Sequence, residues 1–233
     1  MPPPESIENR WDILYREYPE VYAAFVNVPY QPTVFEQLPE IIELRGKLIA
    51  DIGAGTGSSS LALARTARQV IGIEYEAAML HQARQQASGE AASRLIYLSG
   101  DALAIPLADD SVDMVTGFTL ALFPPERYRE FIREGLRVAR GKVVYVGIPP
   151  GWYGGDLDHV IENPYKGIDA EMDRIFLEEF QFAYQDIFSD QEYGTIEKIV
   201  STYGFIFGKK VIEHLKRENK TTIRWKYRVY WRE

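Results

Sequence analysis

Hydrophobic runs of buried type alternate with amphipathic segments through the middle of the chain. Runs rich in aliphatic and β-branched residues predict strands at Lys47–Ile52, Gln69–Glu74, Leu95–Leu98, Val112–Phe118 and Lys142–Ile148. Apolar positions spaced three or four residues apart predict helices between them, at Gly57–Arg68, Glu76–Ala87 and Glu126–Ala139. Alternation of this kind is typical of an α/β protein, in which helices cover both faces of a parallel sheet.

The pattern changes on both sides of this core. Before it, aromatic residues at helical spacing predict two short helices divided at Pro19, and a third at Phe35–Leu44. After it, the residues predict a long loop at Gly151–Lys166, a helix at Asp169–Glu179 and a strand at Phe180–Ser189. They also predict a helix at Thr195–Arg217, interrupted near Gly204 or Gly208.

The last residues alternate strictly between two kinds of side chain. Apolar residues occupy every second position, at Ile223, Trp225, Tyr227, Val229 and Trp231, and basic residues stand between them at Arg224, Lys226 and Arg228. This period of two predicts a strand with one buried face that closes the sheet. Basic and aromatic residues also alternate in nucleic-acid patches, but a half-exposed strand explains the same residues.

Charge and composition narrow the classes of protein that fit. A net charge of −8 over 233 residues argues against a main role in binding nucleic acid or an anionic membrane. The absence of cysteine removes disulfides, thiolate metal sites and cysteine nucleophiles, and it fits a reducing compartment. The first residues lack a signal-peptide pattern and no apolar run is long enough to span a bilayer, so we expect a cytoplasmic protein.

Three glycines follow the first predicted strand, in the stretch DIGAGTG. Gly53, Gly55 and Gly57 are spaced G-x-G-x-G, whereas a dinucleotide fingerprint has G-x-G-x-x-G and Ser58 stands where its third glycine belongs. A phosphate-binding P-loop is excluded because no Lys-Ser/Thr pair follows. The spacing therefore indicates a ribose without a pyrophosphate beside it.

Acidic residues at neighbouring strand ends suggest the rest of the ligand. Asp51 ends the first strand and suits a cationic amine, and Glu74 ends the second and suits ribose hydroxyls. Asp101, after the third strand, can accept the exocyclic amine of adenine while the backbone N–H of Ala102 donates to the ring. Amine, ribose and adenine without phosphate together point to S-adenosylmethionine.

Four stretches in order, DIGAGTG, VIGIEYEAAML, GDALAIPLADDSVDMV and REGLRVARGKVVYVG, resemble the successive motifs of class I S-adenosylmethionine-dependent methyltransferases. The similarity covers Gly46–Ile148, with a weaker match in the closing strand, and favours the small-molecule group that includes quinone-biosynthesis methyltransferases. The resemblance implies a three-layer α-β-α sandwich with a seven-stranded, mostly parallel Rossmann-like sheet whose last strand is antiparallel.

The resemblance also implies cofactor roles for matching positions. Gly53, Gly55 and Gly57 line the methionine part, Glu74 binds the ribose, Tyr75 packs on adenine, Asp101 and Ala102 bind the adenine edge, and Phe118 and Thr119 lie near the transferable methyl. We expect one domain, divided into an N-terminal helical lid (1–44), a cofactor-binding core (45–148), an insert with the sixth strand (149–190) and a closing helix and strand (191–233).

The acceptor side is expected to come from two aromatic segments outside the alternating core, 11–30 and 151–165. They are predicted to fold over the cofactor and to bring four side chains near the acceptor, namely Tyr15, Trp152, Tyr153 and His159. No residue stands out as a catalytic base. His81, His159 and His214 show no metal-binding spacing, so we expect no metal.

The function predicted from these features is in-line transfer of a methyl group to a small-molecule acceptor, with S-adenosylhomocysteine as product. An Asn-Pro-Pro-aromatic motif, typical of enzymes that methylate nucleic-acid adenine or protein glutamine, is absent after the fourth strand, where Gly117-Phe118-Thr119-Leu120 stands instead. Two alternatives stay open. One is a non-catalytic S-adenosylmethionine-binding protein, and the other is a dinucleotide-dependent oxidoreductase.

Overall fold

The computed structural model describes residues 14, 17–26, 30–120, 122, 124–161, 163 and 167–233. Its strands are β1 (Leu48–Ile52), β2 (Gln69–Glu74), β3 (Leu95–Ser99), β4 (Val112–Phe118), β5 (Ala139–Gly147), β6 (Tyr153–Asp156), β7 (Ala183–Glu192) and β8 (Thr222–Arg232). Seven of them form one sheet in the order β3-β2-β1-β4-β5-β8-β7. The five strands predicted in the core are therefore confirmed, with ends that differ by a few residues at most.

The direction of the strands agrees with the expected topology. β1 pairs in parallel with both β2 and β4, and β2–β3 and β4–β5 are also parallel pairs. β8 runs antiparallel to its neighbours β5 and β7. The closing strand predicted from alternation is confirmed, because Ile223, Trp225, Tyr227 and Val229 are buried while Arg224 is exposed.

The helices lie between and beyond the strands. They are α1 (Pro19–Val26), α2 (Tyr30–Ile41), α3 (Ser58–Ala64), α4 (Ala77–Gln86), α5 (Gly89–Ala92), α6 (Tyr128–Val138), α7 (Ile168–Arg174), α8 (Ile196–Ile199), α9 (Phe205–Phe207) and α10 (Lys209–Arg217). A 3-10 turn, Pro125–Arg127, precedes α6, and π turns at Ile175–Glu179 and Val200–Gly204 follow α7 and α8.

Three elements differ from the sequence prediction or refine it. Helix α2 begins at Tyr30 and not at Phe35, because a proline is tolerated in the first turn of a helix, where its missing N–H has no partner to lose. The predicted loop after Pro150 contains the short strand β6. The predicted interruption near Gly208 is confirmed, since that glycine has φ 88° between α9 and α10.

Hydrophobic side chains pack on both faces of the sheet. On one face, Leu38 of α2 and Trp225 of β8 belong to a buried cluster with Met114 of β4. On the other, Phe131 of α6 packs with Val115 of β4 and Tyr145 of β5. Neighbouring residues of β4 thus face opposite layers, as expected for a strand with two buried faces. Within the described part of the chain, no helix is long and apolar enough to cross a membrane.

Candidate cofactor and acceptor site

The carboxyl ends of the parallel strands bring the predicted cofactor residues to one edge of the sheet. Strand β1 lies between β2 and β4. The chain adds β2 and β3 on one side of β1, and then crosses over to add β4 and β5 on the other side. Open α/β sheets bind ligands at such a reversal of strand order. Asp51, Glu74 and Phe118 lie at or next to the ends of these three strands.

The glycine loop has a backbone that only glycine adopts without strain. Gly53, Gly55 and Gly57 have φ values of 69°, 56° and 87°. The N–H groups of Gly53 and Ala54 both donate to the carbonyl oxygen of Ile73, at 2.8 and 3.1 Å. These bonds turn the loop back over the end of β2, so the three glycines are needed for the turn itself.

Asp51 is fully buried beneath the loop. Its Oδ2 accepts hydrogen bonds from the hydroxyls of Ser59 and Ser60 at 2.7 and 2.6 Å, and its Oδ1 accepts a longer one from Thr116 at 3.1 Å. Burial raises the pKa of Asp51 from 3.8 to about 6, against the opposing effect of the three hydroxyls, and the charge of Glu74 adds to the rise. Oδ1 has room for one more donor.

Glu74 joins the end of β2 to the glycine loop. Its Oε2 accepts the N–H of Gly55 at 2.8 Å and its Oε1 accepts the N–H of Glu76 at 2.8 Å. Burial raises the pKa of Glu74, while these backbone donors lower it. Each oxygen keeps a second lone pair for a ribose hydroxyl. The role of Glu74 in holding the loop was not predicted from the sequence, because the contact with Gly55 spans 19 residues.

The remaining predicted cofactor residues lie nearby with different exposure. Tyr75 is 70% exposed, so one face of its ring is open to a ligand. Asp101 is exposed and accepts the N–H of Leu103 at 2.9 Å, and Ala102 beside it is buried. Because Glu74 pairs with Ser99 across β2 and β3, the acidic ends of these two strands are neighbours.

Thr56 supplies an observation that the sequence did not. Its hydroxyl, between Gly55 and Gly57, is buried, and it has no hydrogen-bond partner among the described residues. Buried polar atoms in folded proteins are nearly always paired, and an orphan calls for an explanation. A polar ligand bound at the loop accounts for it, so the residues present fit S-adenosylmethionine.

Two N-terminal helices contact this edge of the sheet. A Cβ on Gly55 would stand 3.5 Å from the Tyr22 ring of α1 and 3.5 Å from Met79 of α4. The ring of Phe35 in α2 lies 5.0 Å from the ring of Phe118. Helices α1 and α2 therefore lie against the residues predicted to bind the cofactor.

A cavity of about 130 Å³ lies just beyond the end of β4. It is lined by Thr119, Leu120, Tyr128, Tyr145, Ile148, Tyr153, Asn163, Ile168, Asp169 and Met172. Leu120 belongs to both sites, because its Cδ1 is 2.6 Å from the position a Cβ on Gly53 would take. Thr119 has φ 47°, which is strained for a β-branched residue. Strain of this kind clusters at functional sites.

The structure brings together only some of the residues predicted for the acceptor. Thr119 and Tyr153 line the cavity. Trp152 does not, because neighbouring residues on an extended backbone face opposite sides, and its ring packs edge-on against Phe188 at 5.8 Å. His159 also lies away from the cavity, since the turn after β6 carries it to His214, 6.1 Å away between ring centroids. Tyr15 lies outside the described residues.

Other lining residues were missed by sequence reasoning. The hydroxyls of Tyr128 and Tyr145 both donate to the carbonyl oxygen of Leu120, at 2.7 and 2.9 Å, and burial raises the pKa of Tyr128. Asp169, in the first turn of α7, also lines the cavity. The only available signal was the density of tyrosines, which equally predicts a packed core. Among the described residues, no group of acidic or histidine side chains is arranged to hold a metal ion.

Comparison with known proteins agrees with this geometry. A sequence model described as a methyltransferase domain matches residues 49–142. An uncharacterized methyltransferase of Mycobacteroides abscessus is 36% identical over 104 residues, 45% of this chain and 40% of that protein. Demethylmenaquinone methyltransferase of Clavibacter sepedonicus is 33% identical over 106 residues, 45% of this chain and 42% of that protein. A 23S rRNA (uracil(1939)-C(5))-methyltransferase of Aeromonas hydrophila is 28% identical over 148 residues, 60% and 32% of the two chains.

The architecture also matches that of a solved structure. The crystal structure of the YcgJ protein from Bacillus subtilis superposes with a TM-score of 0.59 and 19% identity, covering 86% of this chain and 96% of that one. The protein thus has a Rossmann-like fold. Residues 49–142 match a methyltransferase domain, and the ordered motifs of the chain resemble those of class I S-adenosylmethionine-dependent methyltransferases. The chain aligns with less than half the length of each of the three curated relatives named above.

Proposed function

We propose that this protein transfers the methyl group of S-adenosylmethionine to a small-molecule acceptor and releases S-adenosylhomocysteine. The observation that supports the proposal most directly is that one residue lies at both sites. Leu120 packs on Gly53 of the glycine loop and also lines the apolar cavity. A cofactor held by the loop therefore adjoins an acceptor held in the cavity, which methyl transfer by in-line displacement requires.

The cofactor's three parts each have a matching group in this proposal. Asp51 faces the amine with the free lone pair of Oδ1, and the Thr56 hydroxyl meets the methionine part at the loop. Glu74 accepts the ribose hydroxyls, and Asp101 with the N–H of Ala102 binds the adenine edge. Tyr75 covers the adenine face with its exposed ring. Phe118 lies between these groups and α2, near the transferable methyl.

The chain's own contribution to the reaction is positioning and exclusion of water. The bound sulfonium supplies an already activated methyl group. Helices α1 and α2 act as a lid, supported by the contacts of Tyr22 and Phe35 at the carboxyl edge. The insert after β5 contributes Tyr153 to the other side. A closed, dry site keeps water from competing with the acceptor.

A small acceptor is supported by the cavity's size and lining. A 150 Å³ cavity lined by apolar side chains binds benzene, so a space of about 130 Å³ suits one ring or a body of similar size. Some relatives are named for RNA substrates and others for a quinone. The net charge of −8 and the mostly apolar lining favour the small molecule.

Two measurements test the proposal. Calorimetry with S-adenosylhomocysteine and with NAD separates a methyltransferase from a dinucleotide-dependent oxidoreductase, and we expect binding of the first only. Labelled S-adenosylmethionine is then incubated with a metabolite extract, with and without ribonuclease treatment. Labelled small molecules in both samples support the proposal. Label confined to RNA contradicts the acceptor class, and binding without any labelled product supports the non-catalytic alternative.

A further inference from the structure

The polar groups of the cavity differ in what they can offer an acceptor. The hydroxyls of Tyr128 and Tyr145 both point their hydrogens at the carbonyl of Leu120, at 2.7 and 2.9 Å. Both hydroxyls therefore donate their hydrogen to the segment after β4 and not to a ligand. Asp169 is the one carboxylate among the lining residues that the structure describes.

Asp169 is anchored, yet it keeps capacity for a ligand. Its Oδ1 accepts the N–H of Ala170 at 2.9 Å, and its Oδ2 accepts the N–H of Gly151 at the long distance of 3.4 Å. A carboxylate has about four lone-pair sites, so two or more remain. Contacts to α7 and to the turn after β5 fix the group at the cavity wall, where it can receive one hydrogen-bond donor from an otherwise apolar ligand.

We propose that the cavity binds a one-ring-sized acceptor carrying a hydroxyl group, and that Asp169 accepts the proton of that hydroxyl as the methyl group is transferred. This inference rests on the proposed methyltransferase function. It names the acceptor's chemical class and the residue that meets its reacting group.

The step balances without any further reactant. The acceptor oxygen forms a bond to the methyl carbon while the bond from that carbon to sulfur breaks, and the electron pair of that bond stays on sulfur. The hydroxyl proton moves to Asp169 and then to solvent. The products are a methyl ether, S-adenosylhomocysteine and one proton.

A hydroxyl fits this site better than an amine does. A carboxylate stabilises a neighbouring ammonium in its protonated form, which has no lone pair with which to attack. The same carboxylate makes a hydroxyl oxygen more nucleophilic by accepting its proton. The geometry at Asp169 thus assists oxygen methylation and hinders methylation of a basic amine.

The test compares phenol, 4-nitrophenol and benzylamine, a basic amine of similar size, as acceptors with labelled S-adenosylmethionine. We expect the wild-type protein to methylate phenol in preference to benzylamine. Asp169→Asn keeps the hydrogen-bond acceptor for Ala170 but removes the base, so turnover of phenol falls about 100-fold. At about pH 9, where 4-nitrophenol is almost fully ionised and phenol is still mostly protonated, turnover of 4-nitrophenol changes less than about threefold, because no proton has to be removed.

Controls separate this inference from the proposed function and from misfolding. Glu178→Gln changes an exposed carboxylate on the turn after α7 and should leave all rates unchanged. Ile168→Phe fills the cavity and should abolish phenol methylation while the affinity for S-adenosylhomocysteine stays the same. Equal losses with both phenols in Asp169→Asn, or no phenol methylation by a wild-type protein that binds S-adenosylhomocysteine, overturn the inference alone. Loss of cofactor binding in the wild type overturns the proposed function.

Discussion

Acidification should weaken cofactor binding through Asp51. Burial raises the pKa of this carboxyl to about 6, so it is ionised at pH 8 and about one tenth ionised at pH 5. In the proposed function the ionised form faces the cofactor's amine. The affinity for S-adenosylhomocysteine should therefore fall about tenfold between pH 8 and pH 5, or about 1.4 kcal/mol.

The contribution of Asp51 to the free energy of unfolding should move in the opposite direction. The pKa of Asp51 is higher in the folded protein than its ordinary value of 3.8, so the folded state holds this proton more tightly than the unfolded chain does. The resulting stabilisation is fully present below pH 3.8 and is lost as the pH rises through about 6. Its full size is about 3 kcal/mol. The raised pKa of Glu74 acts with the same sign.

Titration calorimetry at pH 5, 6, 7 and 8 measures the effect on binding, and urea unfolding at the same pH values measures stability. Asp51→Asn keeps a carbonyl oxygen for the hydroxyls of Ser59 and Ser60 and cannot ionise, so its weaker binding should not vary with pH in this range. If the affinity of the wild-type protein for S-adenosylhomocysteine stays within twofold from pH 8 to pH 5, Asp51 does not control binding in the way described. An Asp51→Asn variant with the wild-type pH dependence would lead to the same conclusion.

Three other substitutions test separate parts of the site. Glu74→Ala should weaken S-adenosylhomocysteine binding ten- to a hundredfold in calorimetry, about 1.5–3 kcal/mol, and unchanged affinity would remove Glu74 from the ribose site. Gly55→Val should give a folded protein by circular dichroism that binds no cofactor, since φ 56° resists a β-branched residue and the γ carbons would extend beyond a Cβ already in van der Waals contact with the Tyr22 ring. Normal affinity would contradict this. Tyr145→Phe removes one of two hydroxyls on the Leu120 carbonyl, so it should lower the free energy of unfolding by about 1 kcal/mol and reduce kcat while cofactor affinity stays within about threefold. Wild-type kcat in that variant would show that the Leu120 segment needs no such support.

Local pattern in the sequence was sufficient for most of the sheet and for the sharp turn of the glycine loop. The period of two over residues 223–229 predicted which side chains of that part of β8 are buried, because successive side chains of a strand point to opposite faces; it failed at Tyr230, which is buried, and at Trp231, which is only half-buried. The spacing of Gly53, Gly55 and Gly57 predicted a sharp turn, and all three have positive φ. These properties depend on residues close together in the chain, so the sequence alone determines them.

The tertiary structure decided which distant side chains meet. Tyr128 and Tyr145 belong to a helix and a strand whose apolar pattern predicts only burial, yet packing of α6 on β5 brings both hydroxyls to Leu120. Asp169 reaches the same cavity only because α7 follows the insert back to the end of β4. The turn after β6 instead places the His159 ring next to His214 of α10. A cavity is formed by contacts between elements far apart in sequence. Periodicity within an element predicts which of its faces is buried, but it does not predict which other element packs against that face.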